Sequence, residues 1–429
     1  MAASPYPRRL TFALIAALLF FAALARGAVQ PWAQSALAAM ACLLAAALLM
    51  EKALTGAIIA SKTLLDTPLV ALTALIVLSF LFSTDRADGV EAITMFAVYA
   101  VIFYAAQHLA ASRAGQRKIV YLLIALATVV ALVALIKRFS PQLTPIWWRY
   151  DLDDGTMADL YDGAMASGPY GNHNHLAGLL EMIIPLALAL FLIRTWRRAA
   201  LFLLCYLAIF LIAIHILTLS RGGWASLAAA LAVMVIILLV QKRFTQKGLL
   251  LSAVGGLALT FLFILAGTHI TERLLTLADK ETVLDFGGRT IAWKGCLHMI
   301  ATHPLLGTGP GSFATLFPAW QPPGMAARFF YAHNDYLQYT AELGLPGTAI
   351  IVWIVILLMR RVSHLLSHPS RQTWGISLGA SIGILTIIFH SLVDFNLHIP
   401  ANAAVFTVIL GLLSGSAEKK QIEKKDATW

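Results

Sequence analysis

The chain reads as an all-α integral membrane protein of about twelve transmembrane helices, with one large loop between spans 9 and 10. Three observations carry that reading. Apolar residues make up 60% of the 429 positions and charged ones only 12%, against about 25% charged in soluble proteins. Apolar runs of about 17–24 residues recur along the chain, the length that crosses a hydrocarbon core of about 30 Å. Between these runs the Lys and Arg alternate, dense in one set of connections and sparse in the other, as membrane topology requires.

The spans are expected at 10–25, 33–50, 66–82, 90–110, 118–136, 176–193, 200–219, 223–240, 248–267, 336–359, 373–390 and 400–415. They form a single polytopic domain over 1–429. The first run follows Arg8 and Arg9 and ends near Ala23-Leu24-Ala25, which resembles a signal peptide. With so many spans behind it, it is read as an uncleaved first span. With the N-terminus in the cytoplasm, 20 of the 31 Lys and Arg fall on the cytoplasmic side and 16 of the 21 acids outside. Both termini are then inside. The net charge of +10 is thereby explained by topology rather than by nucleic acid. Cys42, Cys205 and Cys296 are odd in number and widely spaced, so neither a disulfide framework nor a zinc site is expected.

Two outer segments are long. Residues 137–175 hold Trp147-Trp148 and an acidic run from Asp151 to Asp162; residues 268–335 hold Arg273, Arg289, Lys294, Arg328 and His333. The polar tail is 417–429. A loop of nearly 70 residues among short ones is usually functional. Its stretch from Arg289 to Met299 reads as a short helix.

Ionisable groups at a membrane boundary are costly and mark function. Arg221, in Thr218-Leu219-Ser220-Arg221-Gly222-Gly223-Trp224, joins two spans with almost no loop. The bland reading is a snorkelling anchor; the flanking Ser and two glycines instead open room for a bulky anionic ligand, which a guanidinium suits. Arg289 follows Gly287-Gly288 at a helix start, a reasonable anion site. Together, two arginines can clamp a pyrophosphate.

In Tyr331-Ala332-His333-Asn334-Asp335-Tyr336-Leu337-Gln338, a polar segment runs into an apolar span. Helical register puts Asp335, Gln338, Tyr339 and Glu342 on one face, and that stripe must meet protein or a wet cavity. A kink is expected at Gly344-Leu345-Pro346-Gly347. A lone His more often bonds a loop carbonyl, but the polar company of His333 favours a general base, since an imidazole exchanges its proton near neutral pH.

Weaker signals remain. Asn172-His173-Asn174-His175 opens the sixth span, with Glu181 inside it; the two histidines lack a third metal ligand, so substrate contact or capping is expected. His390, Asp394 and His398 read as a supporting polar network. Gly307-Thr308-Gly309-Pro310-Gly311 looks like a phosphate loop but lacks the preceding strand and the Lys.

Through Ser220-Arg221-Gly222, Gly288-Arg289 with Trp293, Gly307 to Gly311, and His333-Asn334-Asp335-Tyr336-Leu337 continuing to Glu342-Leu343-Gly344-Leu345-Pro346-Gly347, the chain resembles the O-antigen ligase and polymerase superfamily of bacterial inner-membrane proteins. The Gly171-to-Gly178 stretch and His390 to Phe395 resemble it too, so the likeness spans about 168–400. It implies a twelve-span bundle with a large periplasmic loop, and a glycosyltransferase that needs no metal or cofactor. Its donor would be a glycan on undecaprenyl pyrophosphate, and its acceptor the lipid A–core sugar or a growing glycan. It implies that His333 activates the acceptor hydroxyl while Arg221 and Arg289 hold the pyrophosphate. Asn334, Asp335, Lys294, Arg328, Asn174 and His175 are the expected substrate contacts. Ligase is the reading adopted. The alternatives are a polymerase of the same superfamily or, in another class, a polysaccharide transporter or flippase. A transporter would need two similar halves and polar groups at mid-membrane, and the sequence has neither.

Overall fold

The computed structural model describes residues 6–56, 62–83, 85–140, 150–151, 157–158, 165–194, 197–248, 252, 255–256, 289–321 and 329–415. Outside these lie Arg273, Trp147-Trp148, Gly287-Gly288, Arg328, the polar tail, nearly all of the ninth expected span and most of the acidic run.

The described chain is helical: α1 (Tyr6–Leu24), α2 (Pro31–Thr55), α3 (Asp66–Phe82), α4 (Arg86–Ala110), α5 (Arg113–Phe139), α6 (His173–Ile193), α7 (Arg198–Leu217), α8 (Arg221–Val240), α9 (Arg289–Thr302), α10 (Phe313–Leu316), α11 (Asp335–Leu366), α12 (Arg371–His390) and α13 (Pro400–Gly415). The exception is a two-residue antiparallel pair, Tyr150–Asp151 with Met157–Ala158. Eight helices are long and apolar enough to cross a membrane, and the apolar α3 and α13 have 17 and 16 residues. Among the described residues these eight stand at expected spans, α1, α3 and α13 stand at three more, and nearly all of the ninth lies outside the described residues. The short helix expected from Arg289 is α9.

Helix starts follow from short polar side chains that accept the otherwise orphaned N–H groups of the first turn. Asp85, Ser112, Asn172, Ser220, Asn334 and Ser370 play this part for α4, α5, α6, α8, α11 and α12.

In lipid the hydrophobic effect does not drive helices together, so close packing through small residues has to. The most enclosed helices, α6 and α12, show this. A Cβ on Gly383 would lie 2.2 Å from the Met182 carbonyl oxygen, and one on Gly379 would lie 2.6 Å from Leu186 Cα. The backbones touch because these residues carry no side chain. Likewise α13 meets α4 where a Cβ on Gly411 would fall 2.7 Å from the Phe103 carbonyl oxygen.

The expected kink in α11 is present. Gly344 adopts φ +70°, ψ −178° and breaks the helix. The break is satisfied from outside: Thr308 N–H donates to the Ala341 carbonyl at 3.0 Å, Gly309 N–H to that of Glu342 at 3.0 Å, and Leu345 N–H to that of Pro304 at 2.8 Å. Gly311 N–H donates to the Glu342 carboxylate at 2.9 Å. In the Gly307–Gly311 loop the N–H groups of Thr308, Gly309 and Gly311 therefore go to α11, and that of Gly307 goes to the His303 carbonyl. Its resemblance to a phosphate loop reflects glycines needed at φ +67°, +112° and +75°.

Candidate active site

The turn Ser391–Ile399, between α12 and α13, gathers the polar groups. Two sequence-distant elements are tied to it. The start of α11 supplies Asp335, whose carboxylate accepts from the Ser391 hydroxyl at 2.6 Å and the Leu397 N–H at 3.3 Å, and pairs with His398 Nδ1 at 2.6 Å. Asn334 caps α11 through Leu337 N–H at 3.0 Å and donates its own amide to the Leu392 carbonyl at 3.0 Å. The first residue of α9, Arg289, donates to the Val393 carbonyl at 2.6 Å.

At the centre stands Asp394, whose side chain is 2% exposed. Its carboxylate lies 3.9 Å from Arg289 Nη2 and 3.6 Å from His333 Nδ1, and it accepts from the Phe395 N–H at 2.8 Å. Burial works to raise its pKa. The interaction with His333 and the nearby charges of His390 and His175 outweigh this and hold the carboxyl below the usual carboxylate range. It is thus an anion at neutral pH, facing one arginine and one imidazole.

His333 takes φ +52°, a left-handed conformation uncommon outside glycine but more accessible to His than to most residues. That turn aims Nδ1 at Asp394 and sets the ring edge-on to Phe395, with centroids 4.7 Å apart. Phe395 is sandwiched further: Tyr331 stacks on it at 4.3 Å and His175 meets it edge-on at 4.9 Å. The His333 side chain keeps 29% of its surface exposed. His333 Nδ1 is buried and faces the carboxylate just beyond hydrogen-bond distance; an imidazole beside a buried carboxylate is the arrangement that general-base chemistry uses.

Arg221 is the first residue of α8 and half-buried. Its neighbour Gly222 sits against the same turn, where a Cβ would lie 3.0 Å from Val393 Cγ2 and 3.1 Å from His390 Nε2. Arg221 therefore borders the wall that Arg289 holds. Behind it, His390 Nδ1 pairs with the fully buried Glu181 at 2.8 Å, and His215 Nε2 lies 3.8 Å from the same carboxylate.

The remaining expected contacts divide. His175 reaches the turn through Phe395, and Asn174 stands half-buried at the start of α6, its N–H bound to Asn172. Lys294 is exposed on α9, five residues from Arg289 and about 140° round the helix, so it does not point with it. Asp335 is 1% exposed, with both oxygens engaged, and so serves as an anchor for the turn. The stripe below it faces protein: Gln338 joins the Ala332 N–H to Glu342, and Tyr339 stacks on His398 at 4.6 Å.

His390, Asp394 and His398 do not share a face. Each takes a different acid or base: Glu181, the His333–Arg289 pair, and Asp335. Asp394 is the candidate site residue that the sequence left in a supporting role. The available signal was an acid between two spans, on the same outer side as the two arginines.

No curated protein matches the chain. Residues 206–352, which run from α7 through the kink of α11 and include Arg221, Arg289 and His333, match the family model described as O-Antigen ligase, so over that third of the chain it is similar to the O-antigen ligase superfamily.

Proposed function

We propose that the chain is an O-antigen ligase-like glycosyltransferase of the bacterial inner membrane, with both termini cytoplasmic and its site on the periplasmic side. It moves a glycan from undecaprenyl pyrophosphate to lipid A–core. The observation that carries the proposal is the convergence of His333 and Arg289 on the buried Asp394, beside the turn that Arg221 borders.

In this reading the acceptor hydroxyl oxygen attacks the anomeric carbon of the donor sugar, and the bond from that carbon to the pyrophosphate oxygen breaks. His333 takes the hydroxyl proton, and Asp394 stabilises the imidazolium that forms. Charge builds on the leaving pyrophosphate. Arg221 and Arg289 meet it as preorganised donors, most effective where charge develops in a low-dielectric site. A guanidinium has five N–H donors, and Val393 takes only one from Arg289. The arginines supply the positive charge, so metal-independent transfer belongs to the proposal. Nucleotide sugars are absent outside the cytoplasmic membrane, so a lipid-linked donor carries the activation.

The deciding experiment is glycan analysis of a deletion strain. Loss of a ligase leaves long polymer unattached to lipid A. A single repeat attached to lipid A would instead identify a polymerase, and an unchanged envelope glycan would overturn both.

A further inference from the structure

A second polar site lies at the other end of α11. From Asp335 to Arg361 the helix rises roughly 39 Å at 1.5 Å per residue, so this end is the far side of the bundle from His333. The loop charges assign it to the cytoplasm. There a cleft of about 510 Å³ opens between the segment before α3, the end of α11 and the end of α13. Its charged wall is Lys62, Arg360 and Arg361, with His364 beside them. Among the described residues that line it, none is acidic.

The local chemistry sharpens this. Arg361 donates to the carbonyls of Leu413 and Ser414 at 3.2 and 2.7 Å, neutralising the negative end of α13. Asp66, four residues along from Lys62, accepts from the Thr63 hydroxyl at 2.7 Å and backbone N–H at 2.9 Å, and from the Tyr104 hydroxyl at 3.2 Å. Among the described residues no carboxylate forms an ion pair with Lys62 or Arg360, both exposed. The rest of the wall is apolar, with Leu64 and Leu358. Further along α3 a separate shallow groove is lined by Val70, Val77, Leu78 and Leu81.

A cleft with exposed cations that form no ion pair among the described residues, beside the helix that bears an apolar groove, fits one class of ligand. We infer that this cleft binds the phosphate headgroup of an anionic phospholipid from the leaflet opposite the active site, with an acyl chain along the α3 groove. Basic pockets between spans on the cytoplasmic side take such headgroups. The site is separate from the glycosyl-transfer chemistry and stands whether or not that reading holds.

The test is native mass spectrometry of the full-length protein in detergent, titrated with phosphatidylglycerol, with phosphatidylcholine, or with inorganic phosphate as competitor. Phosphatidylglycerol should bind preferentially, and inorganic phosphate should not displace it. Each cation removed should weaken binding about fivefold, and K62Q/R360Q together about thirtyfold. The charge-keeping K62R/R360K should retain it. Equal binding of phosphatidylcholine, or undiminished phosphatidylglycerol binding in K62Q/R360Q, overturns the proposal. Displacement by inorganic phosphate overturns the lipid in favour of a free anion.

Discussion

Asp394→Asn is the substitution that tests the site most directly. It keeps the shape of the side chain and an oxygen for the Phe395 N–H, and removes only the charge between His333 and Arg289. In the proposed step His333 becomes an imidazolium 3.6 Å from the carboxylate. At an effective dielectric of about 20 that contact is worth about 4.6 kcal/mol before desolvation. Because the His333 side chain is 29% exposed, part of this is screened. A loss of about 10²–10³-fold in kcat remains. KM for the lipid-linked donor should move little, because Arg289 keeps its bond to the Val393 carbonyl. The assay is transfer of radiolabelled glycan from a lipid-linked donor in proteoliposomes, with thermal unfolding as a check that the variant is folded. Transfer within threefold of wild type in a folded D394N protein would refute the assignment of Asp394. A large rise in KM with kcat unchanged would place the residue in donor binding instead.

Other outcomes follow from the same contacts. His333→Ala should lower transfer in purified membranes at least about 10²-fold, the low end of what a general base contributes, while donor binding measured by photocrosslinking is retained. Arg289→Ala should weaken donor binding and loosen the turn, and R289K should recover only part of either, because Lys cannot make the same planar contacts. Gly383→Leu should abolish the close approach of α6 and α12 and prevent recovery of folded protein in detergent, since even a Cβ there lies 2.2 Å from the Met182 carbonyl oxygen. His398 gives a pH signature. Burial opposes its charged form, but the hydrogen bond to Asp335 and the carboxylates of Asp335 and Glu342 outweigh this and raise its pKa. The pair's contribution to stability is then complete below the unfolded value of about 6.5 and is lost as pH climbs through the raised folded value. The thermal midpoint should fall as pH rises through that window, and His398→Asn should flatten the fall.

Much of the architecture was legible because it depends on local facts. Hydropathy over a window locates a helix whatever surrounds it, and Gly344 with Pro346 breaks α11 for reasons internal to the backbone. The expectation that Arg221, Arg289 and His333 share the outer side rests on charge alternation alone. Which residue stands between Arg289 and His333 could not be read that way. Asp394 acts through groups on α9 and before α11, and no periodicity reports a contact between elements so far apart in sequence. The same blindness affected Asp335. Beside His333 it reads as part of an open polar cluster, yet it points into the bundle, where the Ser391 hydroxyl, Leu397 N–H and His398 consume both oxygens. Gly307 to Gly311 misled in a third way. Glycines that allow positive φ look alike whether the freed N–H groups meet a phosphate or the broken end of a helix.

Why so much binding is invested in a turn of nine residues follows from what that turn must do. Asp394 has to stay charged while almost fully buried, a condition that costs several kcal/mol unless its partners are fixed in advance. His333 occupies a left-handed conformation that costs about 1–3 kcal/mol. Neither is stable alone; each is tolerated because the other side of the turn is clamped. Asp335 and Asn334 hold Ser391, Leu392 and Leu397 from α11. Arg289 holds Val393 from α9. Asn402 holds Asn396 at 3.0 Å from α13. With these in place, no reorganisation is needed when the imidazole gains its proton, and the electrostatic benefit appears in the transition state instead of being spent on ordering the site.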